Sequence, residues 1–115
     1  MDEKQALTAF LALSQPTRLA IVRMLVRKGP DGLPAGDVAE AMGVSPSNVS
    51  FHLSNLERAG LIRSRREARS IIYSASYDNL GALIRFLTED CCQGRPEICA
   101  PLAEMACLCD AETTT

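Results

Sequence analysis

The sequence is poor in aromatic residues and in histidine. It has no Trp, two Tyr and three Phe, so a hydrophobic core has to be built from Leu, Ile, Val, Ala and Met. The single histidine, His52, is by itself a poor metal site, because zinc normally takes four ligands. These shortages argue against an aromatic-rich core and against a zinc centre built from several histidines.

Long apolar runs and targeting signals are also missing. No apolar run approaches the roughly 20 residues that span a bilayer. The segment 1–5 lacks the basic region and the apolar core of a signal peptide. We therefore expect a cytoplasmic protein with no membrane partner. Because thiols stay reduced in the cytoplasm, the five cysteines indicate metal or redox chemistry rather than a disulfide framework.

The chain has no strong overall charge, but its charges are unevenly distributed. The net charge is −2, from 12 basic and 14 acidic residues. From Arg58 to Arg69 the arginines are opposed only by Glu67, whereas acidic residues outnumber basic ones after position 77. A basic centre followed by an acidic C-terminal third is typical of a nucleic-acid face with a separate regulatory or oligomerisation face.

The 115 residues predict one domain with a mainly α (α+β) fold. Helical patterns occur in five segments, at 6–13, 16–26, 34–42, 45–59 and 77 to about 92. Two further segments, 61–66 and 69–74, favour the strands of a hairpin joined by Glu67 and Ala68. We expect the domain to cover 1–100 and to be followed by a partly disordered tail at 101–115.

The fourth helix has well-defined predicted ends. Ser45 is a good N-cap residue, and Pro46 suits the first helical position because its missing N–H would have no partner there. Gly43 can adopt the positive φ of a tight turn before this helix, and Gly60 is expected to end it. With the short helix that precedes the turn, this segment predicts a helix-turn-helix.

The two faces of the fourth helix differ in chemistry. Val49, Leu53 and Leu56 form an aliphatic stripe that is expected to pack inward. Short hydrogen-bonding side chains cover the other side, namely Ser47, Asn48, Ser50, His52 and Asn55. Such donors and acceptors suit base edges in a major groove, so we assign these residues to DNA contact. The alternatives are a solvated face and, for His52, packing.

The predicted hairpin is basic. Its arginines are Arg63, Arg65, Arg66 and Arg69. We expect them to grip phosphates or to enter the minor groove, which supplies affinity and salt dependence more than sequence choice. Arg18, at the start of the second helix, could contact phosphate or form a structural ion pair.

Helices, a helix-turn-helix and a basic hairpin together predict a winged helix-turn-helix that binds double-stranded operator DNA. The first and last helices carry more apolar surface than a domain of this size can cover. We therefore expect a homodimer joined through its N- and C-terminal helices. Such a dimer would place two recognition helices on successive turns of DNA.

Four segments carry a resemblance to a known family, at 14–19, 33–39, 45–61 and 69–73. In combination they resemble the ArsR family of metal-responsive bacterial repressors, and the likeness spans nearly the whole chain. The resemblance implies a homodimer that represses its own operon and leaves the DNA when an inducer binds. It implies no enzymatic activity.

Two metal sites that recur in this family are missing from the sequence. One uses cysteines of the third helix, but 37–42 contains no thiol. The other uses histidines and carboxylates of the last helix, which has Glu89 and Asp90 but no histidine. The inducer site therefore has to use other residues.

Three thiols are grouped near the predicted end of the last helix. Cys91 and Cys92 lie there, and Gly94 and Pro96 can turn the chain so that Cys99 returns towards them. Three soft thiolates without a hard fourth ligand suit trivalent arsenic or antimony, whose lone pair takes the remaining direction. Family members with a similar arrangement are arsenite or antimonite sensors. The resemblance thus implies As(III) or Sb(III) as inducer, with no organic cofactor.

Other interpretations of the thiols stay open. Some could be small hydrophobic residues at a dimer interface, or disulfide formation could be the signal. Cys107 and Cys109 could complete a cadmium, lead or zinc site, or lie in a mobile tail. A small thiol protein without DNA activity is a further class. Against it, the chain has no Cys-x-x-Cys and no histidine near the thiols.

Overall fold

The computed structural model describes residues 1–88, which contain five helices and three strands. The helices are α1 (Glu3–Leu13), α2 (Pro16–Lys28), α3 (Ala35–Met42), α4 (Pro46–Arg58) and α5 (Tyr77–Thr88). The strands are β1 (Leu33–Pro34), β2 (Ile62–Glu67) and β3 (Ser70–Ala75). The predicted winged helix-turn-helix is confirmed, with α3 and α4 as the helix pair and β2–β3 as the wing.

The chain divides by its internal contacts after Leu83. Met1–Leu83 form one compact unit, and Ile84–Thr88 at the end of α5 belong to a second. The predicted boundary at residue 100, the tail and the last residues of the final helix lie outside the described residues. Among the helices of the described part, none alone is long and apolar enough to cross a membrane. Helices α1 and α2 reach that length and apolar character only when taken together, and the two are bent by 102° relative to each other.

Helices α2 and α4 begin in the same way. Gln15 and Ser45 each accept a hydrogen bond from the backbone N–H three residues further on, and Pro16 and Pro46 occupy the first helical positions. Both features suit a helix N-terminus, where the first N–H groups have no intrahelical partner. The predicted starts of both helices are confirmed. Helix α3 begins one residue later than predicted, with Pro34 as its N-cap.

A left-handed glycine makes the turn between α3 and α4. Gly43 has a φ of 68°, and its N–H donates to the carbonyls of Ala39 and Glu40 at 3.0 and 3.3 Å. The N–H of Val44 also donates to the Ala39 carbonyl, at 3.3 Å. Because a Cβ would be strained at this φ, the glycine allows α3 to end and α4 to begin within a short turn.

The core is aliphatic, as the composition predicts. The largest fully buried apolar side chains are Ile21, Leu25, Leu53, Leu56, Leu61, Ile62, Val38 and Val49. The residues of α1 that are fully buried are small, namely Ala6, Ala9 and Ala12, whereas Phe10 and Leu13 are half-buried and Leu7 and Leu11 are 55% and 69% exposed. The predicted helix is therefore confirmed, but its exposed leucines leave an apolar surface uncovered in the single chain.

The sheet contains a strand that the sequence analysis missed. The strand order is β1-β3-β2, and β1 pairs antiparallel with β3 through Leu33 opposite Tyr73 and Pro34 opposite Ile72. Two residues are too few to show the alternating pattern by which a strand is recognised. The short strand joins the start of α3 to the wing.

The turn of the wing lies one residue later than predicted. Glu67 pairs with Ser70, so the turn residues are Ala68 and Arg69 rather than Glu67 and Ala68. Ala68 has a φ of 54°, in the left-handed region that two-residue hairpin turns use. Glycine or asparagine would mark such a turn in a sequence, and an alanine does not.

Gly32 is the position where the fold tolerates a side chain least. Its φ is 72°, and an added Cβ would overlap the carbonyl oxygen of Tyr73 in β3. We expect Gly32→Ala to lower the free energy of unfolding by about 3 kcal/mol or more, since it combines a strained φ with a backbone clash. Gly36→Ala is the matched control, because nothing lies within 4 Å of its added Cβ in α3. It should be neutral or stabilise by up to about 1 kcal/mol. Urea unfolding of both variants measures the difference, and equal stability would contradict the expectation.

Candidate nucleic-acid interface

Helix α4 turns its aliphatic stripe into the core and its polar face to solvent. The stripe is buried, as predicted, and Ser47, Asn48 and Ser50 of the predicted contact set are exposed. All three lie in the first half of the helix, next to the turn from α3. The N-terminal part of a recognition helix is the part that contacts base edges in helix-turn-helix proteins. Their DNA contact stays a prediction, and their exposure is compatible with it.

His52 and Asn55 are less accessible than the rest of the predicted set. Both are half-buried, and Asn55 Oδ1 accepts a hydrogen bond of 3.5 Å from the Arg58 guanidinium. His52 Nδ1 is buried without a hydrogen-bond partner among residues 1–88. The two side chains therefore flank the solvent-facing surface instead of occupying its centre.

The centre of that surface holds residues that the sequence analysis did not assign. Phe51 is 61% exposed, and Ser54 is also exposed. Helical spacing places both on the face of Ser47, opposite the buried stripe. A Phe in a helix is normally counted as core, so only its position relative to the stripe could have placed it outside.

A hydrogen bond between α4 and β2 holds the wing against the recognition helix. Ser64 Oγ donates to the Glu57 carboxylate at 2.5 Å. Tyr73, opposite Ser64 in the hairpin, lies near the same carboxylate. Burial, and secondarily the charge of Glu57, raise the pKa of the Tyr73 phenol above its ordinary value, so it stays neutral at physiological pH. The Ser64 face of β2 is therefore the face towards α4.

Two of the four wing arginines have no hydrogen bond within the described part of the chain. Arg66 and Arg69 are exposed, and no carboxylate of residues 1–88 pairs with them. Side chains alternate along a strand, so Arg66 shares the α4-facing side of β2 with Ser64. Arg69 lies in the wing turn. These two side chains are the ones whose charge is available for phosphates.

The other two wing arginines are engaged within the chain. Arg63 forms an exposed ion pair of 3.4 Å with Asp78 at the start of α5. Arg65 donates to the carbonyls of Pro30 and Asp31 at 3.2 and 2.6 Å, and to Glu67 at 3.1 Å. Arg65 thus ties the wing to the α2–β1 loop, a role that spacing alone did not indicate. Its phosphate contact is the least supported of the four.

Arg18 has a structural role of a kind that was not predicted. Its Nε donates to the carbonyl of Ala12, at the end of α1, at 2.7 Å. A cation at a helix C-terminus satisfies a carbonyl that lacks an intrahelical partner. Arg18 forms no ion pair within residues 1–88, and its phosphate contact stays a prediction.

The first turn of α5 is hydrogen-bonded to the end of the recognition unit. Asn79 Nδ2 donates to the carbonyl of Gly60 at 2.8 Å, and Tyr77 donates to the carbonyl of Val26 in α2 at 2.9 Å. Gly60 has a φ of 80°, and an added Cβ there would lie 3.1 Å from Asn79 Nδ2. Gly60 therefore both ends α4, as predicted, and allows α5 to approach.

The predicted metalloid ligands lie outside the described residues. This holds for Cys91, Cys92 and Cys99, and equally for Cys107 and Cys109. Within residues 1–88, no group of three or more His, Cys, Asp or Glu side chains is arranged to hold a metal ion. The described part of the chain thus contains the DNA-facing surface, and the thiols follow it in sequence.

Comparisons with known proteins identify the family. Residues 13–65 match the helix-turn-helix domain family. The HTH-type transcriptional regulator YgaV of Escherichia coli (strain K12) is 37% identical over 89 residues, which cover 77% of this chain and 88% of YgaV. An ArsR-like transcriptional regulator from Rhodococcus sp. RHA1 superposes with a TM-score of 0.65 and 31% identity, covering 73% of this chain and 76% of that one. The chain belongs to the ArsR/SmtB family.

Membership of the ArsR/SmtB family assigns a biochemical class. The chain is a helix-turn-helix transcriptional regulator and not an enzyme. A further solved structure is similar, the homodimeric winged helix-turn-helix DNA-binding domain of a possible ArsR-family regulator from Mycobacterium bovis. Its TM-score is 0.61 at 26% identity, and the match covers 76% of this chain and 81% of that one. Exposed polar residues of α4 and exposed arginines of the wing thus lie on a fold that binds DNA.

The division of the wing arginines leads to a measurable difference in salt dependence. We expect Arg66→Gln and Arg69→Gln to weaken binding to a mixed-sequence duplex and to lower the slope of log K against log salt by about 0.9 for each phosphate that is no longer neutralised. Arg63→Gln, the matched control with a guanidinium paired to Asp78, should leave the slope nearly unchanged. Fluorescence anisotropy over a salt series measures all three. An equal reduction of the slope in Arg63→Gln would contradict the division.

Proposed function

We propose that this chain is a homodimeric transcriptional repressor that leaves its operator when trivalent arsenic or antimony binds to Cys91, Cys92 and Cys99. It would act in the cytoplasm, where its DNA lies. The family membership supports DNA binding and regulation. The hydrogen bond from Asn79 in α5 to Gly60 at the end of α4 carries the proposed coupling, because it links the helix that precedes the thiols to the DNA-facing unit.

Exposed apolar residues support the proposed dimer. In α1, Leu7 and Leu11 are large and solvent-exposed in the single chain. In α5, Ile84 and Leu87 are likewise exposed. Covering such side chains contributes about 25 cal/mol for each Å² of apolar area removed from water. The similarity to a homodimeric domain from M. bovis supports the same assembly. A two-fold dimer presents two copies of α4 to a palindromic operator.

The metal-ligating side chains after Thr88 support an inducer that binds thiols. All five cysteines lie after Thr88, the last described residue of α5, and that region contains no histidine. Thiolates are soft ligands, and three of them match the three bonds of a trivalent arsenic or antimony centre. Cys91 follows Thr88 by three positions. A change at the thiols therefore acts on the chain next to α5.

The proposed release requires only a modest coupling between the thiols and the DNA face. Asn79 at the start of α5 holds the Gly60 carbonyl, and Asp78 pairs with Arg63 of the wing. A displacement of α5 strains or breaks these contacts and thereby changes the orientation of α4 and the wing towards the DNA. Because two half-sites must be engaged at a set spacing, a small change in each protomer weakens specific binding. A coupling of about 1–3 kcal/mol corresponds to a change in affinity of about 5–150-fold.

The metalloid assignment is tested by titration of the protein–DNA complex. In vitro selection from a random duplex library supplies a specific duplex, and anisotropy follows its release by As(III), Sb(III), Cd(II) and Zn(II). We expect release by As(III) or Sb(III) from the wild type and loss of the response in Cys91→Ser, Cys92→Ser and Cys99→Ser. The double variant at Cys107 and Cys109 is the control and should respond as the wild type does.

Two outcomes would overturn this assignment. An As(III) response retained in all three single variants would exclude Cys91, Cys92 and Cys99 as the metalloid ligands. Release by a thiol oxidant, with no response to any metalloid, would favour a redox switch in the same fold. In both cases the selected duplex would still establish the DNA-binding function.

The coupling route has its own test. We expect Asn79→Ala to bind As(III) with unchanged stoichiometry and to bind the selected duplex, while the affinity ratio between free and As(III)-loaded protein falls several-fold. The matched control is Tyr77→Phe, which removes the hydrogen bond from the first turn of α5 to the Val26 carbonyl in α2 and leaves the contacts of α5 to Gly60 and to the wing in place. Anisotropy with and without As(III) gives the ratio for each variant. A wild-type ratio in Asn79→Ala would exclude this hydrogen bond from the route.

A further inference from the structure

Phe51 is the largest apolar side chain on the solvent-facing surface of α4. It is 61% exposed, although a phenylalanine is among the residues most stabilised by burial. Within residues 1–88, the aromatic neighbour of its ring is the half-buried His52, which it contacts edge-to-face with the ring centroids 5.8 Å apart. The core does not use this side chain, so its role lies on the surface.

The surroundings of Phe51 on α4 are polar. Ser47, Ser50 and Ser54 lie around it on the helix, and all three are exposed. Since serine is short, the phenyl ring is the most protruding group on this part of α4. Arg66 lies on the side of the wing that faces α4, without an ion-pair partner in residues 1–88. An exposed apolar group among short polar side chains, on a fold whose wing carries arginines unpaired in the described part of the chain, matches nucleic acid better than it matches the apolar surface of another protein.

We propose that Phe51 is a specificity-determining residue that contacts the 5-methyl group of a thymine in the major groove of the operator. Thymine is the only DNA base with a methyl group at the major-groove edge, and apolar side chains recognise it by contact. A phenyl ring offers no conventional hydrogen bond, so it can distinguish thymine from the other bases only through contact with the methyl group. The neighbouring serines supply the donors and acceptors for adjacent base edges and phosphates.

The inference rests on the DNA-binding part of the proposed function and is independent of the metalloid. Its test therefore uses the protein without inducer. Selection from a random duplex library by the wild type gives the specific duplex. Each thymine of that duplex is then replaced, symmetrically in both half-sites, by deoxyuridine, which lacks only the 5-methyl group. Anisotropy titrations compare the affinities of every duplex for the wild type and the variants.

We expect one thymine position at which deoxyuridine weakens wild-type binding by about fourfold for each methyl group removed. In Phe51→Ala the same replacement should change affinity by less than about 1.5-fold, because no phenyl ring remains to contact the methyl. Ser54→Ala is the matched control on the same face, and it should keep the fourfold effect. Phe51→Leu, which retains an apolar side chain, should keep part of it.

Several results would overturn the proposal. One is a scan in which no thymine shows a larger effect in the wild type than in Phe51→Ala. Another is dissociation of the dimer in Phe51→Ala, measured by sedimentation, since it would make the ring a protein–protein contact. If selection enriches no sequence, the DNA-binding function fails together with this inference. If selection succeeds and the methyl effect is absent, only the role of Phe51 fails.

Discussion

Burial of the aliphatic stripe of α4 is the constraint on which the DNA-facing surface depends. Val49, Leu53 and Leu56 are almost completely removed from water, and each such side chain contributes about 1.5–3 kcal/mol. Surface ion pairs contribute about 0–1 kcal/mol, so they cannot rotate the helix against this stripe. Residues half a turn away must therefore face outward, which places Ser47 and Phe51 at the surface whatever their own preferences. Changing the stripe would move the whole set of predicted contact residues together.

The direction in which each wing arginine points matters as much as the number of arginines in the wing. Alternation along β2 separates Ser64 and Arg66, which face α4, from Arg63 and Arg65, which face away. The second pair makes contacts to α5 and to the α2–β1 loop. A basic hairpin thus uses part of its charge to hold itself in place and leaves Arg66 and Arg69 exposed, where their contact with phosphates stays a prediction. The attachment matters for binding, because a wing that is not held against α4 would have to be ordered on the DNA.

The sequence predicts the parts of this protein that are locally encoded. The start of α4 follows from Ser45 and Pro46, its end follows from Gly60, and its buried face follows from apolar spacing, so all three could be assigned without a structure. Strand β1 could not be predicted, because two residues are too few to show a periodic pattern. The wing turn could not be predicted either, because Ala68 adopts a φ that alanine rarely takes. The role of Arg65 depends on carbonyls more than 30 positions away, and local spacing does not reveal such contacts. Phe51 was missed because an apolar side chain is ordinarily expected to be buried.

The proposed release is energetically consistent with the few contacts that join α5 to the DNA face. A hydrogen bond such as that from Asn79 to Gly60 contributes about 0.5–1.5 kcal/mol net, and an exposed pair such as Arg63 with Asp78 about 0–1 kcal/mol. In a homodimer each contact occurs twice. Their sum therefore reaches the range of about 1–3 kcal/mol that a useful allosteric response needs. A long chain of coupled residues is unnecessary, because the helix that precedes the thiols begins in direct contact with the residue that ends the recognition helix.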